Sequence, residues 1–342
     1  MQVVEYTVID RNVPKKTNNL NILRGDRRAV DRETKKILIA VAVVAIIFLS
    51  AYAGIRAYSG VNPPFTVINS GSMMHSSESR IGIIDTGDML MVKDPDTKDI
   101  TTYVEGRQNG YRHFGEYGDV IVYMKPNQNI IHRAMIYMEL QSNSGGKVVW
   151  HIPSLQNYEY WNVTSDGMYT KDTSHRAECW DSEKCLLTLT SDRSEWYFWL
   201  TDVGYAGVNV YINLYKLAQG ASEGYAGYLT KGDNAATNTR FDQTSGIYEN
   251  KLVERSIIKS VAVFEVPWIG CIKLMVNGHG SSVPDNSKRD LVISIIVLIV
   301  SIVAIDMISS HIARSIAEKK AAEEEAERKA AKRAARRGRP KQ

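Results

Sequence analysis

The sequence predicts a mainly β domain carried between two membrane-spanning helices, with a charged helix at the end of the chain. Three observations predict it. Two long apolar runs, Ile37 to Ile55 and Leu291 to Ile305, carry no charge. The residues between them read as short strands punctuated by Gly-Asp turns. From Ala313 the chain is dominated by Ala, Glu, Lys and Arg, which favour a solvated helix.

A spanning helix needs about 20 mostly apolar residues. The first run meets that length. The second meets it by continuing to Ile308 past Asp306, which lies close enough to the cytoplasmic end to snorkel. Residues 1–36 are rich in bases, among them Arg24, Arg27, Arg28, Arg32, Lys35 and Lys36, and the tail ends in a second basic cluster from Lys332 to Arg339. Between the spans acids outnumber bases. The positive-inside rule then gives a multi-pass cell-membrane protein with both termini cytoplasmic and the central segment outside. The net charge of +4 conceals this asymmetry. The basic ends read as solvated or lipid-facing, not as contacts for nucleic acid. Ala51-Tyr52-Ala53 has the form of a signal-peptide cleavage site. The run before it is long and follows a charged leader, so an uncleaved anchor is expected.

These features divide the chain into a polar, poorly ordered segment (1–36), a first span (37–57), a first part of the β core (58–139), an inserted extracytoplasmic subdomain (140–228), a second part of the core (229–289), a second span (290–310) and a basic cytoplasmic tail (311–342). Pro63-Pro64 stops the first helix. The stretch from Val67 to Met74 reads as a strand entering a tight turn, in which Gly71 permits the bend and the Ser72 hydroxyl is presented. Thr86 to Val92 and Tyr117 to Tyr123 are each a turn followed by a strand, with Asp88 and Asp119 as turn residues. Residues 94–116 between them read as loop. Asn129 to Met135 is a further strand, and it contains His132.

The 140–228 stretch is rich in Trp and Tyr, which read as core. It carries the sequon Asn162-Val163-Thr164. Cys179 and Cys185 fit either a disulfide across Trp180–Lys184 or two buried thiols, and Cys271 has no obvious partner. No Cys/His spacing indicates zinc, and no cofactor is expected. Tyr228 to Asn234 resumes the strand-then-turn pattern, and Asp242 lies beyond it. Ile257 to Ile272 is apolar and β-rich, a stretch expected against the membrane interface.

Taken in order, Ser70-Gly71-Ser72-Met73, two Gly-Asp strands, Ile131-His132-Arg133, and Lys231-Gly232-Asp233-Asn234 with a further Asp resemble the type I signal peptidases, specifically the archaeal and endoplasmic-reticulum branch with a Ser-His pair. The resemblance covers roughly residues 37–135 and 228–276; the insert between them has no counterpart. It implies a catalytic β core of signal-peptidase type. Ser72 matches the nucleophile and His132 the general base, at the position where the bacterial branch has lysine. Ser70 matches a hydroxyl that helps stabilise the oxyanion, beside the Ser72 amide. Asp233 and Asp242 both match acids of the later motif, and the stretch from Asn234 to Phe241 is longer than the pattern leads one to expect. Which acid orients the base therefore stays open, with Asp242 favoured.

The residue types suit the reaction. A serine hydroxyl needs a base to take its proton, and neutral imidazole does so near pH 7. A carboxylate fixes the tautomer. The implied substrates are signal peptides of exported preproteins, met at the lipid surface beside the protein-translocation channel. Their extended cleavage segment would add as a strand along Val67, Ile68 and Asn69, with Met73 among the residues shaping the pocket. His75 is too close in sequence to Ser72 to serve readily as its base. Two rival readings are a catalytically inactive relative that binds partners at the translocation site, and a self-cleaving repressor-type peptidase. The Ser72/His132 pair argues against the first. His132 and the anchor argue against the second, which uses a Ser-Lys pair without an anchor.

Overall fold

The computed structural model describes residues 19–126 and 128–337. The expectations for residues 1–18, and for Arg339 in the basic tail, lie outside the described residues. The chain divides after Tyr58. Helix α1 spans Asn19–Ser59, so residues 19–36 are helical and not poorly ordered as expected. Extending an existing helix fixes one residue per hydrogen bond gained, and no proline interrupts this stretch. The helix ends where Gly60 adopts φ 73°, ahead of Pro63-Pro64.

The second unit is built on antiparallel sheets. In chain order its elements are β1 (Phe65–Val67), β2 (Met89–Lys93), α2 (Tyr103–Asn109), β3 (Arg112–His113), β4 (Glu116–Tyr117), β5 (Val120–Lys125), β6 (Gln128–Ser144), β7 (Lys147–His151), β8 (Trp161–Thr164), α3 (Ser174–Cys179), β9 (Trp180–Asp181), β10 (Leu186–Thr190), β11 (Tyr197–Val203), β12 (Val208–Ile212), α4 (Leu214–Leu217), β13 (Ala226–Lys231), β14 (Ile258–Val266), α5 (Gly270–Val276) and α6 (Asp285–Arg337). Nine strands form one sheet in the order β1-β2-β14-β5-β6-β7-β10-β9, with β13 also paired to β6. β12, β11 and β8 form a second sheet, and β3 and β4 a small hairpin. The result is a mixed fold with a large antiparallel sheet and two long apolar helices. Both helices are long and apolar enough to cross a membrane.

Several elements differ from expectation. Within the 94–116 loop lies α2, held by a capping box in which Thr102 and Glu105 satisfy each other's backbone amides. The insert is not a separate body: β7, β10 and β9 extend the large sheet, and Trp150, Trp161 and Phe198 share one core with Met135, Ile136 and Met138. β14 is an interior strand between β2 and β5, so most of Ile258–Val266 faces protein; Phe264, Ile269 and Ile272 remain exposed. The second span and the tail form one continuous helix.

Asp88 and Asp119 directly follow the turns expected of them, and both are buried. Asp119 accepts from Lys98, Tyr111 and the Thr101 amide. All three cysteines are free and buried, so Cys179 and Cys185 do not bridge. The sequon asparagine is buried too, with its amide donating to the carbonyls of Thr170 and Asp172.

Candidate active site

β1 is an outer strand of the large sheet. Just beyond it, Ile68 exchanges backbone hydrogen bonds with the 87–88 turn, Ile68 N donating to Asp88 O at 3.0 Å and Gly87 N to Ile68 O at 3.0 Å. The chain then turns through Gly71–Met74, where Met74 N donates to Gly71 O at 3.2 Å. Met73 is buried beneath the turn, whereas Asn69 and Ser70 are exposed and Ser72 half-buried. The Ser70 and Ser72 hydroxyls lie 3.4 Å apart.

This turn is gripped from the segment after β13. Asn234 N donates to Ser72 O at 3.0 Å, and the Asn234 side-chain amide donates to Gly71 O at 2.8 Å. Gly232 passes so close that a Cβ there would stand 2.5 Å from Ser72 O. In the sequence Asn234 is one letter of a motif with no role of its own; in the fold it fixes the backbone on both sides of the serine.

His132 comes from the early part of β6, where it is almost wholly buried. Its Nδ1 lies 2.7 Å from Asp242 Oδ2 and 2.9 Å from Oδ1. Asp242 begins a short 3₁₀ turn and has no exposed surface. Its Oδ2 also accepts from the Tyr123 hydroxyl at 2.8 Å and the Thr230 hydroxyl at 2.6 Å. Burial opposes charge on this carboxyl. His132 and the hydrogen bonds from His132, Thr230 and Tyr123 outweigh that, and hold its pKa below the ordinary carboxylate value. Tyr123 and Thr230 were missed in the sequence. The available signal was a hydroxyl at a buried position of a strand.

Asp233, by contrast, does not reach His132. It pairs with the fully buried Arg133, whose Nε donates to it at 2.9 Å. Burial opposes the Asp233 charge, but the Arg133 guanidinium holds its pKa far below the usual range. Arg133 also donates to the carbonyls of His113 and Gly118, tying β6 to the β3–β4 hairpin and the turn before β5. His75 stacks on Tyr205 and stands 3.8 Å from Asp233. Lys231 is buried, donates to Gly232 O at 2.7 Å, and burial lowers its pKa.

A cavity of about 190 Å³ joins the two halves of the site. One wall is Ile68, Asn69, Ser70, Ser72 and Met73; the other is the start of β6 from Gln128 to His132. The Val67 side chain packs against the Cys271–Leu274 cluster, on the face opposite that of Ile68. With Nδ1 taken by Asp242, the nitrogen of His132 left for the cavity is Nε2. Among the described residues Ser72 Oγ hydrogen-bonds to Ser70 and not to Nε2. Hydrogen bonds of this kind are commonly long in a free site and tighten when substrate fills it.

The arrangement offers a hydroxyl, an imidazole oriented by a buried carboxylate, and a second hydroxyl beside the first. Comparison of the chain with protein-family models, curated proteins and solved structures finds no match.

Proposed function

We propose that the protein is a membrane-bound serine endopeptidase of the signal-peptidase type, which removes signal peptides from exported preproteins. The observation that carries this reading is the convergence of Ser72 and His132 on one cavity, with Asp242 on the far nitrogen of the imidazole.

The chemistry follows from that order. His132 Nε2 takes the Ser72 proton as Oγ attacks the scissile carbonyl carbon. The resulting oxyanion meets the Ser72 amide and the Ser70 hydroxyl; one such donor is worth about 3–4 kcal/mol. The C–N bond then breaks, the imidazolium gives its proton to the leaving amine, and the signal-peptide fragment stays esterified to Ser72. Water, deprotonated by the same imidazole, attacks the ester carbonyl and frees the serine. Asp242 stays ionised throughout and steadies the imidazolium.

The substrate class is supported by the sheet edge. β1 is an outer strand, and the start of β6 opposes its continuation across the cavity. An extended peptide between them gains backbone hydrogen bonds from an unpaired edge, and a small cavity admits small side chains. The same unit carries α6, whose first turn is tied to the loop after the serine: Asn286 accepts from Ser79 N and donates to Ser79 O. A site at the foot of an apolar helix suits a substrate that emerges from the bilayer. In this reading both termini are cytoplasmic and the β domain lies outside.

The test is cleavage of a preprotein by purified protein in detergent, with Ser72→Ala and His132→Ala alongside. Loss of correctly placed cleavage in both variants supports the reading. Undiminished cleavage in either refutes the catalytic assignment.

A further inference from the structure

A second cavity, of about 620 Å³, lies on the other side of the serine turn. Ser72 faces the first cavity, whereas Gly71, Met74 and His75 line the second. Its opposite wall is the 281–285 segment that leads into α6, and one end is closed by Tyr205 from the insert. Tyr205 sits at the tip of the β11–β12 hairpin, far from the serine in sequence.

That tip is fastened to the core at several points. Arg107 of α2 donates to the Asp202 carboxylate at 2.6 Å and to its carbonyl as well. Asp202 adopts φ 53° and Gly204 φ 69°, conformations that turn the hairpin back sharply. Gly204 N donates to the Tyr103 hydroxyl at 2.9 Å. The Tyr205 hydroxyl accepts from Ala235 N at 3.1 Å, one residue past the asparagine that grips the serine turn. The Tyr205 ring stacks on His75 with centroids 4.3 Å apart. Yet Tyr205 keeps 45 % of its surface exposed. A ring anchored by its hydroxyl and one face, and open elsewhere, is built as a wall.

We propose that this second cavity binds the residues following the scissile bond, and that Tyr205 is a specificity-determining residue for them. The inference rests on the peptidase reading of Ser72. A peptide lying along Ile68–Ser70 with its carbonyl at Ser72 must continue over the turn. An extended chain advances about 3.3 Å per residue, so it reaches the far side within a few residues. There it meets Ser281, Ser282 and the flat face of Tyr205, a surface suited to an extended polypeptide with small or polar side chains. The insert thereby contributes to the site directly, as one wall of the leaving-side subsite.

The test uses full-length protein in detergent and a peptide series identical before the scissile bond, carrying one, three or six residues after it. The wild type is expected to cleave the six-residue member with kcat/KM about tenfold or more above the one-residue member, the size of a single good side-chain contact. Read as the six-to-one ratio of kcat/KM within each variant, the gain is lost in Tyr205→Ala and kept in Tyr205→Phe, which retains the ring. Ala236→Trp, an exposed substitution on the cavity wall, lowers the same ratio and keeps the proposal testable where Tyr205→Ala folds poorly. A wild type indifferent to length, or a gain that survives both Tyr205→Ala and Ala236→Trp, overturns the subsite and leaves the peptidase reading intact. Cleavage that persists in Ser72→Ala overturns the peptidase reading instead.

Discussion

Nδ1 of His132 meets the carboxylate of Asp242 at 2.7 Å, although 110 positions separate them in the chain. The contact selects a tautomer. Nδ1 carries the proton and donates it to Asp242, so Nε2 is the lone-pair nitrogen on the Ser72 side. Because Tyr123 and Thr230 donate to the same carboxylate, its orientation is fixed independently of the histidine. In the proposed reading, a third residue that orients the base completes the logic of an activated nucleophile.

The two neighbouring acids should therefore separate cleanly. Asp242→Asn is expected to lower kcat by about 10³–10⁴, the cost of holding the wrong tautomer. Asp233→Asn leaves the Arg133 guanidinium buried without its counter-charge, and is expected to cost about 3–5 kcal/mol of stability. Its folded fraction keeps kcat within several-fold of the wild type. Paired measurements of kcat and Tm check this; equal kcat losses in the two variants would contradict it.

Stability should fall as pH rises from about 4, the ordinary carboxylate range, to about 8. Asp85, Asp88 and Glu265 form a buried acidic group under the serine turn: Asp85 N donates to Asp88, and Gly82 N to Glu265. Burial raises their pKa values to about 6, about 7 and about 8, with repulsion between neighbouring carboxylates adding to the last two. The folded state thus keeps protons that the unfolded chain has released, and its stability is lost as pH climbs through those values. A tenfold difference in proton affinity between the folded and unfolded chain corresponds to about 1.4 kcal/mol. Glu265→Gln should flatten the decline, read as Tm at pH 5.5 against pH 8.5. Asp242 and Asp233, with lowered pKa values, act in the opposite sense and in a separate window, losing their contribution only as pH falls below the ordinary carboxylate range.

Gly232→Ala should disable the site from a distance. The added methyl meets Ser72 O, a backbone atom that cannot rotate away. The serine turn must shift, and a displacement of about 1 Å costs about 10²-fold in rate. The expected result is a large fall in kcat with substrate KM little changed; an unaltered kcat would mean that the turn tolerates the methyl.

The sequon should carry no glycan in the folded protein, since the Asn162 amide is engaged with Thr170 O and Asp172 O. Asn162→Ala strands both carbonyls and should lower stability by about 1–3 kcal/mol. Mass of the intact protein and denaturant midpoints report the two effects.

How much of this was legible in the sequence depended on range. Ser72 and His132 were singled out by the order of motifs that carries the resemblance; local pattern alone gives an ordinary turn and a strand histidine. The two apolar helices were visible by length and lack of charge. Asp242 was favoured over Asp233 to orient the base, but the choice stayed open, because His132 and Arg133 are adjacent on β6 and the loop from Asn234 to Phe241 conceals which acid meets which. Arg133 stood in the sequence only as a letter of Ile131-His132-Arg133, yet it is a buried tie between hairpins. α2 was missed because seven residues give too little periodicity, although Thr102-x-x-Glu105 was there to read. The membership of β7 and β10 in the main sheet is a matter of long-range pairing, on which alternation within a strand is silent.

The central claim is that Ser72 and His132 act as one unit. Its most direct test is the rate of preprotein cleavage by Ser72→Ala, His132→Ala and the double variant. Residues that share one step lose their effect together, so the double variant should be no slower than either single one. Losses that multiply in the double variant, or singles that cleave at the wild-type rate, would contradict it.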